Sequence, residues 1–87
     1  MYFVYILRCA DKTLYTGITT DLKRRVLEHN SSKLGAKYTS SRRPVKVVYT
    51  KRYKNRSTAS KAEAAIKKLT RPKKLELIKE SHEHKIS

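Results

Sequence analysis

The sequence predicts a small α+β domain, a three-stranded and mainly antiparallel sheet flanked by helices in the order β-β-α-β-α-α. Two observations predict the sheet. Tyr2 to Thr20 reads as two short aromatic and β-branched runs around a polar turn, and Val45 to Tyr53 has the same character. A third observation predicts the helices: two later stretches space their apolar residues three and four apart. Eighty-seven residues, 38% of them hydrophobic, suffice for one domain with one small core. We assign that domain to residues 1–80 and expect a frayed tail over 81–87.

The first strand pair organises the chain. Tyr5 shares a strand face with Phe3, Leu7 and Cys9, because side chains alternate. A two-residue loop at Asp11-Lys12 would put Tyr15 on the opposite face, whereas a three-residue loop, Ala10 to Lys12, pairs it with Leu7 on the same face. Lys12 suits neither positive-φ position of a type I′ turn, so the odd loop and the shared face are expected.

A helix follows from Thr20 or Asp21 as N-cap. Leu22 and Val26 face the core, Leu27 widens their stripe, and Arg24 points to solvent. Arg25 and His29 stack along one border of the stripe and Lys23 lies along the other; periodicity does not choose between the borders. Ser31 to Arg43 then reads as a polar loop ended by Pro44. Lys33, Lys37, Arg42 and Arg43 around Tyr38 suit contacts to phosphate with one stacking residue, although a solvated connection explains the composition too.

In the third strand, Val45, Val47 and Tyr49 are expected on one face and Lys46 and Val48 on the other. The next helix runs from about Ser57 or Thr58 to Leu69, with Ala59, Ala62, Ile66 and Leu69 as its buried stripe. Glu63 lies inside that stripe. An inward carboxylate is costly unless a cation or a metal meets it, so Glu63 reads either as a ligand or as half of a structural ion pair. Pro72 opens a last helix, where Leu75 and Ile78, with Leu77 beside them, cap the core.

Charge narrows the function. The chain holds 22 Lys and Arg against 7 Asp and Glu, a formal net charge of +15 and a pI near 10.3. Such self-repulsion points to an anionic partner, nucleic acid before an anionic membrane. No basic and aromatic amphipathic helix supports a membrane surface, and no segment approaches transmembrane length. Cys9 is the only cysteine, which excludes an internal disulfide and a cysteine-based zinc site. The first apolar run is too short for a signal peptide and lacks a basic start. A cytoplasmic location is expected. No phosphate-binding glycine loop and no Ser-His-Asp order is present.

Taken together, these residues resemble the GIY-YIG nuclease superfamily, and in particular its small stand-alone bacterial-type members. Phe3-Val4-Tyr5 stands where that family has Gly-Ile-Tyr, and Tyr15-Thr16-Gly17 where it has Tyr-Ile-Gly. Arg25 matches its catalytic arginine, His29 a position that is often His, and Glu63 its metal-binding glutamate. The likeness runs from about Tyr2 to about Ile78, and Ala36-Lys37-Tyr38-Thr39 and Arg42-Arg43-Pro44 are typical of the small group. Phe3 replaces the family's first glycine, and an Asn that some members carry near the domain's end has no counterpart.

The resemblance implies a metal-dependent endonuclease acting on DNA or RNA. In it Tyr15 is the general base and Tyr5 a supporting hydrogen-bond partner, or the reverse. Arg25 stabilises charge on the phosphate, His29 holds Tyr15 or a phosphate oxygen, and Gly17 lets backbone approach the substrate. An unperturbed tyrosine has a pKa of about 10, so such a base needs positive charge nearby. Two-metal hydrolysis gathers several carboxylates, and here only Glu63 is aimed inward. One carboxylate argues for one ion, Mg²⁺ or Mn²⁺, with several waters retained. The alternative is a basic nucleic-acid-binding module that keeps the fold without the chemistry. A targeting partner protein or a homodimer is not visible in the sequence.

Overall fold

The computed structural model describes residues 1–31, 39 and 41–86, with side chains no further than Ser81. The expected order is observed: β1 (Tyr2–Arg8), β2 (Leu14–Thr19), α1 (Leu22–Ser31), β3 (Lys46–Tyr53), α2 (Arg56–Lys67) and α3 (Arg71–Ile86). The sheet order is β2-β1-β3, antiparallel at both junctions. The last helix extends the backbone through residues we expected to fray. Lys33, Lys37 and Tyr38 lie outside the described residues.

The hairpin has the odd loop. Leu7 pairs with Tyr15 and Tyr5 with Gly17, so both tyrosines share one face. Cys9 donates its N–H to Thr13 O at 2.9 Å, Lys12 N–H bonds back to Cys9 O at 2.9 Å, and Lys12 takes φ of 69°. Asp11 Oδ1 accepts from Thr13 N at 3.1 Å and from Thr13 Oγ1 at 2.6 Å, an aspartate turn that replaces the missing glycine.

Alternation along β1 divides the core in two. Val4 and Ile6 pack with Tyr49, Ala59 and Ile66 under α2 and α3. Tyr5, Leu7 and Cys9 pack with Val45 on the other face, against Leu22 and Val26 of α1. Val4, Ile6 and Leu7 are wholly buried, which contributes about 1.5–3 kcal/mol for each such side chain.

β3 departs from the expectation. Ile6 pairs with Tyr49 but Leu7 pairs with Val47, a shift that leaves Val48 as the extra residue of a bulge. Val45 and Val47 therefore face α1, while Val48 and Tyr49 face α2 and α3. Three further expectations fail for one reason: Leu27, Leu69 and Leu75 are 60%, 37% and 45% exposed. Helical spacing marks a stripe, but a sheet of three strands covers only its centre. Helix α2 also starts earlier than expected, capped by Asn55, whose side chain accepts from Thr58 N at 2.9 Å.

A positive φ at a non-glycine residue costs about 1–2 kcal/mol, partly offset in glycine by backbone entropy. Lys12→Gly is therefore expected to raise the unfolding free energy by up to about 1 kcal/mol, read as a higher urea midpoint at unchanged slope.

Candidate nucleic-acid active site

Tyr5 projects from the middle strand and lies across β2. Its partner in register is Gly17, and a Cβ built there would stand 2.6 Å from the Tyr5 hydroxyl oxygen and 2.8 Å from Cζ. Any side chain at position 17 would collide with the phenol. The glycine thus makes room for Tyr5.

The phenol is 1% exposed, not the floor of an open basic groove, because α1 closes over it. A buried hydroxyl needs partners, and two are present. His29 Nε2 lies 3.0 Å from the hydroxyl, and Arg25 hydrogen-bonds the same oxygen. The other ring nitrogen of His29, Nδ1, lies 2.8 Å from Thr39 Oγ1. Arg25 can only donate, so Tyr5 accepts from it. The imidazole thus bridges Tyr5 and Thr39 through its two ring nitrogens. Sequence periodicity placed His29 on the border of the apolar stripe, where it was expected to hold Tyr15 or phosphate. Instead it is fully buried and fixes Tyr5, while touching Tyr15 edge to face at 5.2 Å between ring centres.

Electrostatics follow from this burial. Desolvation pushes the Tyr5 pKa up to about 12, against the pull of Arg25, with the charges of Tyr15 and Glu63 raising it further. His29 is pushed down to about 4, first by desolvation and then by the Arg25 and Arg43 charges, which outweigh Glu28. Both groups are neutral at pH 7. Burial works against the Arg25 charge, but the bonds to Glu28 and Tyr5 raise its pKa overall. Glu28 grips both arginines of its helix, Arg25 Nη1 at 3.0 Å and Arg24 Nε at 3.2 Å.

Tyr15 is half-buried, its ring centre 6.4 Å from that of Tyr5. Glu63 approaches from the other face of the sheet on α2, which packs beneath β1 and β2. Its side chain is 22% exposed and pairs with Lys67 Nζ at 3.6 Å, yet its charge is felt at Tyr5. Tyr5, Tyr15, Arg25 and His29 are therefore one cluster, and Glu63 lies on the helix beneath the sheet, paired with Lys67. Arg42 and Arg43 each have a partner within the protein. Arg42 Nε pairs with Asp11 Oδ2 at 3.0 Å, and Arg43 Nε donates to His29 O. Glu28 and Thr39 were missed in the sequence; the Arg-Arg-x-x-Glu spacing could have revealed the first, and nothing local could have revealed the second.

His29 yields a test with a definite sign. Its folded pKa lies below its unfolded value of about 6.5, so its contribution is complete above pH 6.5. It declines as pH falls toward 4, by about 3 kcal/mol in all. Asp11 and Glu28 have lowered pKa values and lose their contributions only at still lower pH, so a falling Tm between pH 6.5 and 5 reports His29. Titration by NMR should find no midpoint for this imidazole above pH 5. Gly17→Ala should cost about 1–3 kcal/mol by overpacking and should shift the Tyr5 and His29 ring resonances.

The profile of the GIY-YIG catalytic domain matches residues 1–76. The UPF0213 protein DP2720 of Desulfotalea psychrophila is 59% identical over 80 residues, 92% of this chain and 73% of the relative. A UPF0213 protein of Syntrophus aciditrophicus is 56% identical over 81 residues, 93% of each. Among solved structures, the solution NMR structure of the UPF0213 protein BH0048 from Bacillus halodurans aligns with a TM-score of 0.59 at 42% identity. That alignment covers 91% of this chain and 84% of that one. No helix among the described residues is long and apolar enough to cross a membrane. The paired tyrosines, the arginine of α1 and the glutamate of α2 sit in a domain matched almost from end to end, and the chain belongs to the GIY-YIG catalytic domain family, a nuclease family.

Proposed function

We propose that the chain is a metal-dependent endonuclease that hydrolyses phosphodiester bonds in nucleic acid, DNA in the first place. The observation that carries this reading is the convergence on one phenol: Arg25, His29 and Tyr15 surround Tyr5, and the Glu63 charge reaches it.

The two tyrosines suit different roles. Tyr5 is buried, doubly hydrogen-bonded and protonated at neutral pH, so it positions Arg25 instead of moving a proton. Tyr15 keeps part of its surface open, and in its phenolate form takes a proton from the attacking water. Arg25, always charged, stabilises the extra negative charge on the phosphate.

The donor set bears on the metal. No three His, Cys, Asp or Glu side chains gather among the described residues, so an ion here would depend on Glu63 and water. The Glu63 carboxylate fits that use, because it is part-exposed and its partner is a long, flexible lysine one turn away. A single hydrated Mg²⁺ or Mn²⁺ held there would supply charge for the leaving oxygen. The Lys67 pairing is also the observation that favours the second reading, a binding module in which Glu63 is structural.

Nicking of branched and single-stranded DNA in Mg²⁺ decides between them. Arg25→Ala and Glu63→Ala are each expected to lower the rate at least about 100-fold, with folding intact by circular dichroism. Undiminished nicking in both variants would overturn the enzymatic reading.

A further inference from the structure

Much of the positive charge lies away from the phenol cluster. No acid occurs between Glu28 and Glu63, a stretch that holds ten Lys and Arg. Four of the ten fall within six residues, Lys51-Arg52-Tyr53-Lys54-Asn55-Arg56, where β3 runs into α2. All four are exposed, and none has an ion-pair partner among the described residues.

Sheet register shows which of them faces the candidate site. Phe3 pairs with Thr19 on one side and Arg52 on the other, so the three form one row across the sheet. That row is two residues along from Gly17, Tyr5 and Thr50 and shares their face. One strand spacing and two residues of rise put Arg52 roughly 8 Å from Tyr5, Cα to Cα. At the other end of the row, Thr19 lines a hollow of about 150 Å³ together with Arg24 and Arg25. Phe3, in the middle, is only half-buried and belongs to neither hydrophobic cluster. Lys51 lies on the opposite face, its Nζ 5.7 Å from the Tyr53 ring centre.

We propose that this row and the corner beyond it form a nucleic-acid track, with Phe3 stacking on a base and Arg52, Lys54 and Arg56 meeting successive phosphates. An aromatic between cations is the combination that single strands need, since every base offers a π face and every link a negative charge. The track begins beside Arg25 and leads away from it, so it deepens the nuclease reading by naming where the strand next to the cleaved bond runs. Its binding function does not require cleavage.

The test is binding in EDTA, by fluorescence anisotropy of a labelled 12-nucleotide single strand. Arg52→Ala/Lys54→Ala/Arg56→Ala is compared with Lys51→Ala/Lys73→Ala/Lys79→Ala, which removes equal charge from the opposite face and from α3. The track variant should lose at least tenfold in affinity and reduce the salt slope by about 2, near 0.7 per phosphate on a single strand. The control should lose less than threefold. Phe3→Leu, which keeps apolar volume and removes the π face, should lose at least fivefold. Equal losses in both triple variants would overturn the track and leave only diffuse attraction. So would track-dependent binding to phosphatidylserine vesicles with DNA affinity unchanged. A wild type that binds as expected but never nicks DNA would defeat the nuclease reading and leave the track standing. Nicking that depends on Glu63, with binding unmoved by the track variants, would do the reverse.

Discussion

The structure depends on a buried phenol. Placing the Tyr5 hydroxyl out of reach of water would cost several kcal/mol if it lacked partners, and the neighbourhood is built to supply them. His29 sits within hydrogen-bond distance of it, and burial beside Arg25 keeps the imidazole neutral. Thr39 orients the imidazole from the far side, tying the segment after α1 to the strand. Gly17 has no side chain because the phenol occupies that space. Each element near the site is thus placed by a need of one hydroxyl group, and a change at any of these positions is felt at the others.

A second constraint comes from covering both sheet faces with so few strands. β1 is central and supplies side chains to both layers, which simple alternation achieves. β3 must do likewise, but its apolar run Val45, Val47, Val48 and Tyr49 does not alternate. The bulge at Val48 resolves this by giving the first two to the α1 face and the next two to the α2 and α3 face. Without it, Tyr49 would enter the cluster already filled by Tyr5 and Leu7.

What the sequence revealed were features enforced within a few residues. The shared tyrosine face followed from the loop's odd length, and a cap at Thr20 or Asp21 from the apolar stripe beyond, with Asp21 taking that place. The odd loop was expected because Lys12 suits a positive φ poorly, yet Lys12 adopts one. The order of elements was legible because the spacing of apolar residues carries it. Features set by distant packing were not. The bulge depends on two layers competing for one strand, and His29 is buried because residue 39 and the Arg43 side chain close over it. Arg42 and Arg43 looked like phosphate ligands by composition, but their partners, Asp11 and the His29 carbonyl, are remote in sequence. A cation's sequence neighbours do not reveal whether an acid waits elsewhere in the fold.

That scarcity of acids decides where the positive field survives. Asp11 pairs with Arg42, Asp21 caps α1, Glu28 takes Arg24 and Arg25, Glu63 takes Lys67 and Glu76 takes Lys73. Three of these five sit around α1 and the hairpin, and one of them, Glu28, steadies the arginine that touches Tyr5. Under the proposed function, partial neutralisation suits a guanidinium that must hold one position, because a fixed partner reduces the reorganisation needed on binding phosphate. Among the described residues the end of β3 has no acidic partner, and a solvated cation is free to follow a flexible polyanion. The domain thereby separates two uses of positive charge: ordered beside the phenol, where geometry matters, and unpaired at the sheet's far corner, where attraction suffices.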